Sequence, residues 1–437
     1  MAEIIQQVEQ RTASLLSYRK FSQKQDETIK DVPADRYHSL HLAFFILGMG
    51  AMVPMSFFLS ANDYWMFKFR DIDKPFDTTV KNTLQKNFQS TSSVISSVSS
   101  IITNILSSLF AYKLTLRARF VGSLAVTVTF FIMYTALVEV DTDSWQLGFF
   151  ILTMGIYFLN NIAGSLFMMS NMAMVSRFPP SYLKSHMYGT SVGILLGSVV
   201  QIVCLWIGGS STQVALMYFL IGTVTCVITL AVAFMVHYIP RFNYYQGDSI
   251  ADTKKSLPSW DDLREVSKNL WPLILGAFIG SLAMTMSGPA MTALVNSDHH
   301  EKGDPWTDKY FVPVLAFLLP GVVGLIGRVL ATPLLNRSNV YWWLAVSIIN
   351  SLAVTPLIMF CNSNKEHLPI LFPHDWQFIT LQIVISFINS YLSTLSFLSM
   401  PKFGGENIEL TFLVMATLVG IFMHASSPLS SVWVNIQ

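Results

Sequence analysis

The chain has 437 residues, 52% of them hydrophobic and 12% charged, with a formal net charge of +1 and a mean hydropathy of +0.49. A soluble domain carries about a quarter charged residues, so this composition excludes an ordinary water-soluble fold and points to a membrane protein. Three cysteines, Cys204, Cys226 and Cys361, lie in or beside apolar runs and exclude a disulfide framework or a cysteine-rich metal site.

The N-terminal "MAEIIQQVEQRTASLLSYRKFSQKQDE" has no apolar core of the signal-peptide kind, so the first span is expected to direct insertion itself. Eleven apolar runs then follow, near 38–60, 90–112, 120–140, 145–172, 188–208, 213–238, 271–296, 310–335, 340–361, 374–400 and 409–434. Each is close to the ~20 residues a helix needs to cross the hydrocarbon core. They lack the short alternation of a membrane barrel, and backbone groups facing lipid must be bonded within their own segment, so the predicted fold is an all-α polytopic bundle of eleven transmembrane helices.

The connection "YKLTLRAR" carries Lys113, Arg117 and Arg119 without an acid, whereas "EVDTDSW" carries Glu139, Asp141 and Asp143 without a base. The positive-inside rule therefore predicts a cytosolic N-terminus and, with an odd number of spans, a C-terminus outside or in a lumen. The glycosylation triplet Asn336-Arg337-Ser338 then faces the cytosol, where that modification does not occur.

The loop 61–89, aromatic and of mixed charge, is expected to fold over the outer mouth. The serine-dense "STSSVISSVSS" that opens the second span reads as close helix packing with a lumen-facing stripe. The polar stretch 241–270 divides the chain six plus five, and its "SWDDLREVSKNLW" segment predicts a short helix on the cytosolic surface. The expected organisation is a cytosolic tail (1–37), a six-helix half-bundle (38–240), a cytosolic linker (241–270) and a five-helix half-bundle (271–437). This is the layout of a carrier whose halves enclose a midplane site.

Ionisable residues are scarce within the spans. No Asp or Glu lies deep in any of them, Arg328 stands alone among Lys and Arg in "GVVGLIGRVL", and His424 reads as a packing residue of the last span. A charge there costs several kcal/mol (about 3 on insertion scales), so it faces a wet cavity or a partner. Two readings of Arg328 are open: a lumen-facing cation with space opened beside it by Gly321 and Gly324, or a side chain snorkelling about 12 Å to the interface near Asn336. Close helix packing is the alternative role for the glycines.

Five stretches in order, "DRYHSLHLAFFILGMGAMVPMSFF", "FPPSYLKSHMYGTSVG", "IPRFNYY", "KYFVPVLAFLLPGVVGLIGR" and "HDWQFITLQIVISFINSYLSTLSFLSMPK", resemble the equilibrative nucleoside transporter family. The resemblance covers nearly everything after residue 35 and implies eleven spans in a major-facilitator-like 6+5 arrangement that moves nucleosides or nucleobases without an energy source. Carried across by position, it implies a substrate-binding set of Arg328, Gly324, Met55, Ser56, Leu59, Met168 and Asn389. Several of these depart from the family pattern. The usual Trp-Asn is Met55-Ser56, the glutamine that reads the base is Met168, and the acid that grips a ribose hydroxyl is Gly324, while Asn389 and Tyr391 match.

The expected function is thus facilitated diffusion of a nucleoside or nucleobase across a membrane, the plasma membrane by default. The alternatives are a carrier of another small polar or anionic metabolite and a non-transporting receptor of the same fold. No nucleophile and base pair, metal cluster or phosphate-cradling loop suggests an enzyme. No cofactor, metal, nucleic-acid polymer or protein partner is expected, only a small solute and the lipid bilayer.

Overall fold

The computed structural model describes residues 33–72, 83–110, 115–246, 260–292, 310–334, 340–362 and 368–403, with isolated residues between 295 and 306 and between 411 and 429. Ten main helices run through them: α1 (Ser39–Ser60), α2 (Thr83–Phe110), α3 (Leu116–Leu137), α4 (Gln146–Val175), α5 (Pro180–Ile207), α6 (Ser211–Met235), α7 (Trp260–Met286), α8 (Leu319–Leu334), α9 (Val340–Ile349) and α10 (Asp375–Phe403). A π turn (Pro313–Leu318) leads into α8, and α9 continues through a π turn (Asn350–Val354) and a 3-10 turn (Thr355–Phe360).

Local chemistry sets several helix ends. Thr115 caps α3 by accepting the Ala118 amide, and Ser210 with Gln213 forms a reciprocal capping box at α6. α5 starts at Pro180, whose fixed φ suits a first turn, and stops at Gly208, where φ is +77°.

Nine of these helices, with their flanking turns, are long and apolar enough to cross a membrane. The second predicted span is present as the 28-residue α2, whose described apolar stretch is Val94–Thr103. Ser92, Ser96, Ser97, Ser99 and Ser100 are buried, while Val94, Val98 and Ile102 point outward. Ser96 bonds Asn161 (3.3 Å) and Ser100 bonds Ser165 (3.3 Å) on α4, so the described part of the stripe packs against a neighbouring helix. The eleventh predicted span, with His424 and Pro428, and the Asn336 triplet lie largely or wholly outside the described residues; the described positions from 411 to 429 are helical.

Two sequence expectations change. "SWDDLREVSKNLW" is no separate surface helix: it runs without a break into α7 as its first turns, with Val266 and Leu270 buried. The described part of loop 61–89 does not lie over a mouth between bundles. Its short helix Asn62–Lys68 inserts Trp65 among Phe58, Phe88, Tyr134 and Phe219, all residues of α1–α6. Arg70 pairs with Asp143 at 2.8 Å, and Lys68 donates to the Val140 carbonyl at 2.7 Å.

α1 to α6 pack mainly on one another, and so do α7 to α10; α5 and α8 make the main contact between the two groups. The closest approach is α1 against α5. A Cβ at Gly48 would collide with the His186 carbonyl, one at Gly189 with the Phe45 carbonyl, and one at Gly193 with the Met49 carbonyl. Glycine alone permits backbones this near, and tight van der Waals packing replaces the hydrophobic effect as the driving force inside lipid. Farther along, Gly197 meets Ser56, whose Oγ donates to the Gly193 carbonyl at 3.3 Å.

The buried apolar residues reveal an asymmetry between the two ends of the molecule. At the end carrying the 176–180 and 239–246 connections, one cluster joins both groups, combining Leu40, Phe44, Met174, Phe178 and Phe242 with Val266, Leu270, Leu273, Leu398 and Met400. At the opposite end the clusters are separate among the described residues, one drawn from residues 53–226 and the other from 295–378.

Gly189→Val is expected to force α1 from α5 and cost about 1–3 kcal/mol by overpacking. The readout is a lowered thermal midpoint in detergent. Gly122→Ala, where a Cβ meets nothing within 4 Å, should leave the midpoint unchanged or slightly raised.

Candidate functional site

Arg328 lies two turns from the N-terminal residues of α8 and reaches across to α5. Its Nη1 donates to Thr190 Oγ1 at 2.8 Å and to the Met187 carbonyl at 3.2 Å. The Thr190 hydroxyl donates in turn to the same carbonyl at 2.7 Å. The cation is therefore neither snorkelling to the interface nor left facing open water. Its Nη1 is bonded to acceptors on the other helix group, a hydroxyl and a main-chain oxygen, in a position where an acid would otherwise be expected.

Two further buried polar side chains adjoin this contact. His186, fully buried on α5, precedes Met187, and its Nδ1 lies 3.5 Å from Asn171 Nδ2 on α4. That Asn171 amide also donates to the Leu47 carbonyl of α1 at 3.1 Å. A polar band thus crosses α1, α4, α5 and α8. Among the described residues, His186 Nε2 and Asn171 Oδ1 have no partner. Sequence reading missed Asn171, His186 and Thr190. With Lys184 and two prolines nearby, the fifth span was expected to begin only at 188, whereas α5 starts eight residues earlier and carries His186 into the bundle.

The space expected beside the guanidinium is filled. A Cβ on Gly324 would stand 2.8 Å from Ser390 Oγ, one on Gly327 2.9 Å from the Phe387 carbonyl, and one on Gly321 2.8 Å from Leu195 Cδ2. These glycines let α8 lie against α10 and α5, which is the packing alternative, and Gly324 offers a ligand no room there.

The other predicted site residues divide among several surfaces. Met55 is half exposed, Ser56 is tied to α5, and Leu59 packs on the aromatic cluster of the first helix group. Met168 packs, partly buried, against the cluster that joins both groups. Asn389 does not turn toward Arg328. Its Oδ1 accepts from Asn350 Nδ2 in the α9 π turn at 2.9 Å, and it borders a cavity of about 110 Å³ between α7, α9, α10 and the 415–423 segment. Serines 281, 347, 393 and 396 and the ring of Trp343 also line that cavity.

At the sealed end, Asp35 of the "DRY" stretch accepts the Leu40 amide (3.0 Å), the Ser39 hydroxyl (3.2 Å) and the Tyr182 hydroxyl (3.4 Å), which fastens the start of α1 to α5. His41 stacks on Tyr182 with centroids 4.2 Å apart.

Comparison with known proteins agrees with this architecture. The chain is 25% identical over 412 residues to equilibrative nucleoside transporter 3 of Rattus norvegicus, covering 88% of this chain and 86% of that one. It is 24% identical to equilibrative nucleoside transporter 1 of Homo sapiens, covering 86% and 92% respectively. Among solved structures, a POT family transporter in complex with 5-aminolevulinic acid superposes with a TM-score of 0.60 at 13% identity over 94% of both chains. The xylose transporter XylE from E. coli gives 0.55 at 10% identity over 90% and 91%, and the nucleoside transporter NupG gives 0.50 at 14% over 90% of both. The sequence model described as "Nucleoside transporter" matches residues 153–259 and 251–421, more than half of the chain, and the chain therefore belongs to the nucleoside transporter family.

Proposed function

We infer that the protein is a facilitative nucleoside transporter that works by alternating access between two half-bundles in a major-facilitator-like 6+5 arrangement of eleven spans. The observation that carries this reading is the asymmetric seal, with one apolar cluster shared by both helix groups at one end and separate clusters at the other. A carrier closed on one side and parted on the other has this form. Family membership and the named relatives support a nucleoside as the cargo.

The sealed end bears Arg36, Arg117, Arg119, Arg177, Lys184 and Arg241, and the opposite end bears Lys68 and Arg70 beside Glu139, Asp141 and Asp143. By the positive-inside rule the seal is cytosolic, which makes this an outward-facing state with the N-terminus in the cytosol and the C-terminus outside or in a lumen; the plasma membrane is the default host.

Arg328 then acts as a latch between halves. Its bonds to Met187 and Thr190 exist while α8 lies on α5 and must break or rearrange as the halves rock. A guanidinium released inside the lumen needs new acceptors, which a hydroxyl-rich solute supplies. No carboxylate lies deep in a predicted span to couple a proton or sodium ion, so the gradient of the solute itself sets the direction of net flow.

Proteoliposomes holding the purified protein should take up labelled uridine or adenosine to equilibrium, with no dependence on a pH or sodium gradient. Uptake at the level of empty liposomes for both would end this reading. Arg328→Ala, expressed at wild-type level, should slow uptake roughly tenfold or more, given about 1.5–3 kcal/mol for a charged hydrogen bond. Thr190→Val should loosen the latch and raise labelling of cysteines placed on the cytosolic side of the lumen.

A further inference from the structure

We propose that Asp35, His38 and His41, at the sealed end of the first helix group, form a binding site for a divalent transition metal of the zinc class. The site is separate from Arg328 and its polar band, and metal binding there does not depend on the nucleoside reading.

The three residues recur at intervals of three where the chain enters α1, in "DRYHSLH". One ligand atom from each, a carboxylate oxygen and two imidazole nitrogens, lies within 4.8 Å of the others. Backbone shape brings them together. Tyr37 and His38 both take left-handed conformations, with φ of +59° and +54°, which residues other than glycine seldom adopt. The turn they make sets the ring of exposed His38 5.8 Å from that of His41. Two such residues in succession persist only where the surroundings over-determine them, and such positions gather at functional sites.

The hydrogen bonds around the cluster leave lone pairs for an ion. Ser185 of α5 donates its hydroxyl to the Ser181 carbonyl at 3.4 Å, so it meets His41 Nδ1, 2.9 Å away, as an acceptor. A neutral imidazole that donates through Nδ1 carries its lone pair on Nε2. Metal-bound histidines commonly have their second ring N–H held by an outer acceptor in this way. On Asp35, Oδ1 accepts the Ser39 hydroxyl and the Leu40 amide, whereas Oδ2 has only the 3.4 Å contact with Tyr182 among the described residues. Arg36 folds over the Tyr37 ring, 5.2 Å from its centroid, instead of pairing with that carboxylate.

The donor set selects the metal. Two imidazoles and one carboxylate, with a fourth position open, are the three-ligand chemistry of zinc. Imidazole also suits copper and nickel, whereas calcium and magnesium take oxygen shells. Ligands about 2.1 Å from a tetrahedral centre stand ~3.4 Å apart, so the three atoms must draw in, which rotation of the exposed His38 side chain allows. The sequence reading expected no metal because it ended the cytosolic tail at 37, which set Asp35 apart from the two histidines.

The site adjoins the seal. His41 stacks on Tyr182, which belongs with Leu40 and Phe44 to the apolar cluster that joins both helix groups. A bound ion therefore fastens the entry of α1 and stabilises this end by mass action.

The purified protein, freed of any affinity-tag histidines, is titrated with zinc chloride and followed by bound-metal analysis and thermal midpoint. Zinc should raise the midpoint, EDTA should reverse the rise, and magnesium at the same concentration should leave the midpoint unchanged. His38→Asn tolerates the left-handed backbone, and His41→Phe keeps a ring on Tyr182. Each should lose one equivalent of bound zinc together with the rise in midpoint, while Ser185→Ala should bind about tenfold more weakly. Cobalt(II) in place of zinc should give the visible absorption of a four-coordinate site in the wild type and not in His38→Asn. Wild-type zinc content and midpoint shift in both histidine variants would overturn the site, the metal then being held by histidines elsewhere, and so would a wild-type protein that binds no zinc. If His41→Phe does not fold, His38→Asn, at an exposed position, decides alone. Loss of the nucleoside reading would leave each of these outcomes unchanged.

Discussion

A guanidinium within hydrocarbon needs acceptors, and among the described residues Arg328 finds them on α5, a helix of the other group. That requirement fixes much of what surrounds it. α8 must lie on α5 closely enough for a 2.8 Å bond to Thr190, so Gly321 gives way to Leu195. α5 must be held firmly in place, and the glycine contacts at 48, 189 and 193 press it against α1. Asn171 and His186 extend the polar band behind it.

The same contact links packing to motion. An apolar seal is non-directional and reforms wherever area is buried, whereas a hydrogen-bonded cation has one favourable geometry. Combining the two at one side of the molecule gives a state that is stable yet has a defined point of release. At the opposite end the apolar clusters of the two groups are separate among the described residues, and the groups meet there through α5 and the Pro313–Leu318 turn.

The residues that the resemblance points to have different neighbours in the fold. Arg328 works between halves, Gly324 is a contact point for Ser390, Ser56 bonds α5, and Asn389 faces a cavity on the other side of α10. Residues one position apart on α10, Asn389 and Ser390, serve different neighbours because each helical step turns the side chain by about 100°.

The sequence alone determined the membrane class, the helical fold and most span positions, because about 20 apolar residues in a row have no other way to satisfy their backbone in lipid. It also singled out Arg328, since an isolated membrane charge is conspicuous against 12% charged residues overall. It could not say what Arg328 meets, because the acceptors are a threonine and a main-chain carbonyl some 140 positions away, types too common to stand out. It placed the start of α5 late, where a lysine and two prolines mimic a loop, and so left His186 out of the bundle. Whether a pair of glycines closes on a helix or opens on a cavity was decided only by the tertiary structure. Gly324 and Gly280 are the same residue in similar apolar surroundings, and among the described residues only the neighbour that arrives, Ser390 at Gly324, tells them apart.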